Sequence, residues 1–489
     1  MGALTSKPYA FSARSWELKS IESIDVLDPE CANVKINVRG NTIMRVLPRI
    51  NYDINLEWIS DRARFAYDGN QRQRLLNPLV HYAYLSSFIK EDKLVSKSWL
   101  SILESISFLF KQKSLNLNVI TGSPVDFETF LILDKFASNL GQSQSLFLGG
   151  EHKFMNVDLI NYFSFTIPFN LFPSLDFCFF VGFNSRLETP VLNIRLKNLV
   201  NQGKLKIFGI GCLSNLNYYV YNLGNTTSPL IQILEGKHKV VRSIVKIASM
   251  AVIFGQFAYS RFDFMNLVNS FRVILSKFLI GVKNVSLNVM LPSVSLSNAF
   301  YIGLNYSFKW FYSKKIFLNN FFYVIGAVSV KFSAKVIGLL IHQGSHYDSN
   351  FFFGAGFLLP SLSYYEKIGT FRNIEGRFQT TKIAVNPLSD KIKNDWRILK
   401  ALTDYLKVQI LDFKGNSALN SSYSFEVPTI SNNIFFKNFP LYQLMKLNVH
   451  SFETRGLNPY LIDSVTRNSV TMALVANSLN SKFNNFIYN

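Results

Sequence analysis

Cysteine is scarce in this 489-residue chain: Cys31, Cys178 and Cys212 stand far apart and form no C-x-x-C pair. That argues against a disulfide framework and against a cluster built from the chain's own thiolates, since such a cluster takes four correctly spaced cysteines. The start, MGALTSKPY, has neither a basic n-region with an apolar h-region nor an Arg-rich amphipathic presequence. The expectation is a chain made where it works, or one whose presequence has been removed. Long apolar runs are missing too. Residues 245–259 and 351–365 are the most apolar, but each falls short of about 18 residues and is broken by Gln, Gly or Pro, which reads as buried strand and loop. Basic residues exceed acidic ones, with a formal net charge of +20. No five basic residues run together, and neither a zinc finger nor an RNP-type aromatic signature accompanies them, so nucleic acid is not the expected partner. Lys inflated by coding bias, tolerated on a solvated surface or facing acidic neighbours, accounts for the charge better.

What is present is a globular composition, 48% hydrophobic and 17% charged, on a chain long enough for several packed layers. The 46 Phe, with abundant Asn, Ile, Ser and Lys, mark an AT-rich coding bias of the kind expected for an organelle gene. Exposed Phe therefore carries little weight as a binding signal. Residues 1 to about 35 read as β-type segments. Val34, Ile36 and Val38 then alternate with polar residues up to Gly40-Asn41, the signature of a hairpin. From about residue 95 strands alternate with helices: a helix over Trp99–Phe110, a strand at 115–120, a helix over Phe127–Leu140 capped by Asp126 and closed by Gly141. Apolar runs ending in glycine recur at 177–182, 205–211, 249–255, 321–327 and 335–341. Runs buried on both faces and joined through helices predict a mainly parallel α/β sheet. Three parts are expected: 1–94, a β/docking region with an Arg-rich junction; 95–408, an α/β body of two sub-sheets divided near 210–240; and 409–489, a divergent tail packing on the body.

Arg39 to Leu75 is the densest mixed-charge stretch. Arg45, Arg49, Asp53, Asp61, Arg62, Arg64, Asp68 and Arg74 interleave with Tyr52, Trp58 and Tyr67. Charges with aromatics in a non-periodic pattern predict an ion-pair lattice packed under another element, the Arg fork binding carboxylates at two points. A charged surface hairpin is the alternative. Arg49→Ala or Arg64→Ala is expected to leave a carboxylate unpaired. Two loops stand where α/β folds bind ligands, after strands. The first, Gly182, Asn184, Arg186, Glu188 and on to Arg195, can cradle a phosphate or pair Arg186 or Arg195 with Glu188. The second, 365–381, sets Asn373, Glu375, Gly376 and Arg377 side by side. His342 and His346 have metal-ligand spacing, but Gln343 and Gly344 favour a plain polar loop.

GALTSKPYAFSARSWELKSIESIDVLD, RVLPR, DINLEWISDRARFAYDG and RQRL together resemble the large iron-sulphur (75 kDa) subunit family of respiratory complex I. GFNSRLETP is similar to that family's G-x-N-P-R-x-E-x-P segment, with Ser185 in place of the proline. YEKIGTFRNIEGRFQ is similar to its E-K-x-x-T-x-x-N-x-E-G-R-x-Q motif, which molybdopterin oxidoreductases share. The resemblance implies a molybdopterin oxidoreductase-like α/β fold, with Rossmann-type, mainly parallel sheets, helices on both faces and a small antiparallel β region in front. It also implies that Gly182, Asn184, Arg186, Glu188, Asn373, Glu375, Gly376 and Arg377 are vestigial cofactor loops. Thr5, Lys7, Pro8, Arg45, Arg49, Asp61, Arg64, Tyr67, Asp68 and Arg74 would form a junction with a partner. The cluster-ligating cysteine of that family precedes G-A-L-T-S-K-P, and Ser60 stands where some relatives place another. The expectation is thus a cofactor-free chain, its clusters held by a ferredoxin-like companion, on the mitochondrial matrix side among other complex I subunits. An active pterin-dinucleotide oxidoreductase is the alternative, and a free-standing basic binding protein a third reading.

Overall fold

The computed structural model describes residues 6–81, 94–112, 116–139, 145–148, 160–211, 216–244, 248–261, 263–278, 284–304, 320–326, 339–347, 356–406, 451–452 and 460–487. Thr5, Cys212 and most of the expected tail lie outside the described residues. The chain opens with β1 (Lys19–Ile24), β2 (Asn33–Arg39) and β3 (Thr42–Pro48), an antiparallel sheet in the order β1-β2-β3. Arg39 pairs with Thr42 across Gly40-Asn41, and Gly40 takes φ +60°, so the predicted two-residue turn forms.

The body strands are β4 (Leu79–His81), β5 (Leu94–Ser96), β6 (Asn116–Thr121), β7 (Ser145–Leu148), β8 (Phe177–Val181), β9 (Lys206–Ile210) and β10 (Tyr221–Asn222). They continue with β11 (Ser249–Phe254), β12 (Asn284–Val289), β13 (Asn320–Ile325), β14 (Leu339–Gly344), β15 (Phe357–Pro360), β16 (Thr370–Arg372) and β17 (Phe378–Thr380). One sheet runs β5-β4-β15-β14-β13-β6-β7. Its last five strands are parallel, with β4 and β5 added antiparallel at one edge. The other, β10-β9-β8-β11-β12, is parallel throughout. Every residue of β8 and β11 is buried, as continuous apolar runs require when both sheet faces are covered.

The division expected near 210–240 falls elsewhere. The five-stranded sheet runs unbroken from β8 to β12, and the chain leaves the seven-stranded sheet after β7 and returns at β13. Strand pairing decides this: β11 belongs to the same sheet as β9 although residues 210–240 lie between them, and β10 falls inside that range. β4 likewise belongs to the seven-stranded sheet although it falls on the docking side of the expected boundary at 94, and that boundary cuts through β5. In the five-stranded sheet β8 has β9 on one side and β11 on the other. The chain therefore reverses direction at β8, and the point where such folds place a ligand crevice lies at its carboxyl end, at Gly182. No helix among the described residues is long and apolar enough to cross a membrane.

Candidate functional site

The two loops marked out by the sequence meet on a third element that the sequence reading passed over, the turn Asp25 to Cys31 between β1 and β2. Gly182 has φ +54°, and a Cβ there would sit 2.7 Å from the Ala258 backbone nitrogen, so only glycine fits this crossing. Asn184 accepts from Arg186 N at 3.2 Å and starts the short turn 185–188. Glu188 turns its carboxylate inward and pairs with neither Arg186 nor Arg195. It accepts from the backbone N–H of Asn184 at 2.8 Å and of Gln256 at 2.7 Å. Burial pushes its pKa up to about 8. Arg186 stays exposed and reaches Asn217. Arg195 donates instead to the carbonyls of Tyr52, Asp53 and Ile54, at 2.6, 3.0 and 3.1 Å.

The second loop is the hairpin tip between β16 and β17. Arg377 N donates to Asn373 Oδ1 at 2.8 Å, and Gly376 closes the turn with φ +95°. Glu375 accepts the Phe169 N–H and pairs with Arg377 at 3.1 Å, while burial raises its pKa. Arg377 also reaches Asp53 at 3.0 Å, a hydrogen bond that holds the Asp53 carboxyl below its usual range.

Pro29 and Glu30 wedge between these loops. Ile374 N donates to the Pro29 carbonyl at 2.9 Å, and Leu192 N, in the first turn of the helix Pro190–Asn201, donates to Glu30 Oε1 at 2.8 Å. A carboxyl oxygen at a helix N-terminus satisfies an amide that has no partner inside the helix. The donors that would greet a phosphate here are engaged by the chain's own acid. Burial, then the charge of Asp28, push Glu30 up to about 8. Asp28 itself pairs with Arg62, both side chains buried. The signal was legible in DVLDPE, three acids and a proline between two strands.

The predicted junction residues divide. Arg74 makes the expected two-point contact, 2.8 and 2.6 Å to the Glu366 oxygens, with both side chains almost fully buried. Asp68 accepts from Ser469, from Thr471 N at 3.2 Å and from Thr471 Oγ1 at 3.0 Å, fastening the C-terminal helix Val470–Ile487. Arg45 donates to Asn37 at 2.9 Å and covers the Tyr9 ring. Tyr67 is half-buried, its pKa raised by burial. Lys7, Pro8 and Asp61 are exposed, and Arg64 is half-buried. Arg49 pairs with Glu22 at 3.2 Å near the surface, so the buried pairing expected of Arg49 and Arg64 is made by Arg62 and Arg74 instead. The helix start at Ser60 decides this, because it turns Arg62 inward.

His342 lies in β14, while His346 bonds Gly69 O at 3.0 Å and the neighbouring Ser345 hydroxyl. Burial, with Arg74 close by, holds the His346 pKa down to about 3. At the reversal point of the seven-stranded sheet, beside β6 and β13, Lys367 sits between Asp126 at 2.9 Å and Asp395 at 2.8 Å. Burial opposes its charge, but the two carboxylates outweigh it and raise its pKa.

Two family models match the chain: molybdopterin oxidoreductase over residues 74–405, and the NADH-ubiquinone oxidoreductase NDSU1/NuoG-like 4Fe-4S domain over residues 18–68. The second match corrects the expectation that this chain has no iron–sulphur domain and that every cluster belongs to a companion. The side chains of that segment, taken alone, do not fit a cluster. Its one cysteine, Cys31, is fully buried, and burial, then Asp25, Asp28 and Glu30, raise its pKa, against the thiolate that ligation needs. Cys178 is buried in β8, and no group of three potential ligands is found among the described residues.

Among relatives, the NADH-ubiquinone oxidoreductase 75 kDa subunit of Reclinomonas americana is 34% identical over 97% of this chain and 70% of its own length. The subunit of the same name from Acanthamoeba castellanii is 33% identical over 99% and 70%. The NADH dehydrogenase [ubiquinone] iron-sulfur protein 1, mitochondrial, of Solanum tuberosum is 30% identical over 97% and 63%. With a molybdopterin oxidoreductase-like α/β body joined to a small antiparallel sheet by the Pro29–Glu30 wedge, the chain belongs to the family of the 75 kDa subunit of NADH-ubiquinone oxidoreductase.

Proposed function

We propose that this chain is a structural subunit of mitochondrial complex I on the matrix side of the inner membrane. In this reading it supports electron transfer from NADH to ubiquinone by holding neighbouring polypeptides in register. Its α/β body is the rigid part. The segment 18–68 is fastened to it by Glu30 on the helix Pro190–Asn201 and by Arg377–Asp53, while Arg62–Asp28 braces the segment internally. A ferredoxin-like iron–sulphur companion chain is the proposed partner of residues 6–18 and of the outer face of β1. The observation that carries the reading is the wedge: the amides at the crevice are bonded to Glu30 and Glu188, leaving the loops as architecture rather than as a nucleotide cradle.

Native electrophoresis of mitochondrial extract, stained for NADH oxidation, is the test. The chain is expected in the large NADH-oxidising band. Migration as a free monomer would sink the reading. Acid extraction of the isolated band addresses the rival, an active pterin-dinucleotide oxidoreductase, since stoichiometric pterin fluorescence from this chain would establish it.

A further inference from the structure

The segment between β17 and the helix Asp395–Leu406 builds a groove of about 450 Å³, beside the carboxyl end of β15. Leu362, Pro387 and Ile392 give it an apolar lining, and Asp390, Lys393 and Arg397 line it with charge. That volume is in the range of about 300–1,000 Å³ typical of ligand clefts. The wall is fixed, not loose. Leu362 N donates to the Lys393 carbonyl at 3.1 Å, and Trp99 Nε1 to the Lys391 carbonyl at 2.7 Å. Asn386 N donates to Asn41 Oδ1 at 2.6 Å, and Asn41 Nδ2 returns to the Asn386 carbonyl at 3.1 Å. The Arg397 guanidinium stacks over the Trp396 ring at 5.2 Å. A wall held this way gives up little freedom on binding.

Charge decides the occupant. Lys382, Lys391, Lys393 and Arg397 are exposed, with Lys400 half-buried, against two exposed acids, Asp390 at the groove and Asp404 further along the helix. Asp395 is buried and committed to Lys367. Ile383 and Leu388, 46% and 45% exposed, add apolar surface on the same segment. None of this surplus charge is used by the junction or by the crevice loops.

We infer that this groove receives an acidic segment of another polypeptide of the assembly, its carboxylates on Lys393 and Arg397 and an apolar side chain on Leu362, Pro387 and Ile392. The identity of the donor as an assembly partner rests on the complex I reading; the groove's preference for an acidic peptide does not.

Zero-length carbodiimide crosslinking of the native assembly, followed by mass spectrometry, reads the contact directly. The expected product joins Lys391 or Lys393 to an Asp or Glu of another chain. Acetylation of both lysines in the assembly as complete as in the isolated chain would overturn the inference. In parallel, anisotropy of a fluorescein-labelled peptide of Glu and Leu is measured on the isolated full chain. Binding should weaken about tenfold in K393E/R397E, and in high salt, but not in K204E, an exposed lysine in the loop before β9. Equal weakening in K204E, or binding of phosphatidylserine vesicles or oligo-dT in place of the peptide, would also overturn it. Should the chain be missing from the NADH-oxidising band, the assembly reading fails while the peptide arm still decides the groove.

Discussion

Glu30 accepts the backbone N–H of Leu192 at 2.8 Å, across 162 positions of sequence, and so ties the turn between β1 and β2 to the first turn of a body helix. Glu30→Ala removes that acceptor and leaves an amide at a buried helix end. The expected loss is about 1–3 kcal/mol, with Glu30→Gln costing less because it keeps an oxygen. Urea unfolding of the two variants checks this, and an unshifted midpoint in the alanine variant would mean that the wedge is not a fastening.

The pH dependence follows from the same carboxyl and from Glu188. Each has a folded pKa near 8 against an ordinary value of 4.5. The folded state therefore holds their protons more tightly than the unfolded state does. Their contribution is fully present below about pH 4.5 and is lost as pH rises through about 8. The melting temperature should fall between these limits, and the slope should flatten in Glu30→Gln. A melting temperature that climbs across this window in wild type, with the same slope in the variant, would contradict the assignment.

Arg74 and Glu366 form a buried pair, so removing one partner strands the other. Arg74→Ala should cost about 3–5 kcal/mol, whereas Arg74→Met with Glu366→Leu should recover much of it. Arg74→Lys should fall between, since an ammonium cannot make the two-point contact. Denaturant midpoints across this cycle give the coupling, and an additive double variant would remove the pair from the account.

Gly69 lies under the C-terminal segment. A Cβ there would meet the Val465 carbonyl oxygen at 2.1 Å and the Ser469 nitrogen at 2.9 Å, both backbone atoms. Gly69→Ala should push this segment off Asp68 at a cost of about 1–3 kcal/mol. Faster tryptic cleavage after the exposed Arg467 is the expected sign, and an unchanged rate would show that the helix is held elsewhere.

Local pattern was enough for much of the body. The runs at 177–182 and 249–255 are strands because only a two-sided sheet hides so many apolar residues in a row, and the helix expected over Trp99–Phe110 forms as Trp99–Gln112. The junction was legible in kind, less so in its members. Arg74 was found, but Arg62 could not be ranked above Arg64, because helix phase decides which one points inward.

The sequence by itself determined the family, through long motifs, and the α/β class, through periodicity and glycine placement. It also determined the poverty in thiolates, since composition does not depend on folding. Only the tertiary structure decided how β strands were shared between the two sheets, because pairing is non-local. It alone put Glu30 at a helix end and Glu188 on two amides. Those partners lie far from one another along the chain, and a carboxylate's role is set by what burial leaves within its reach.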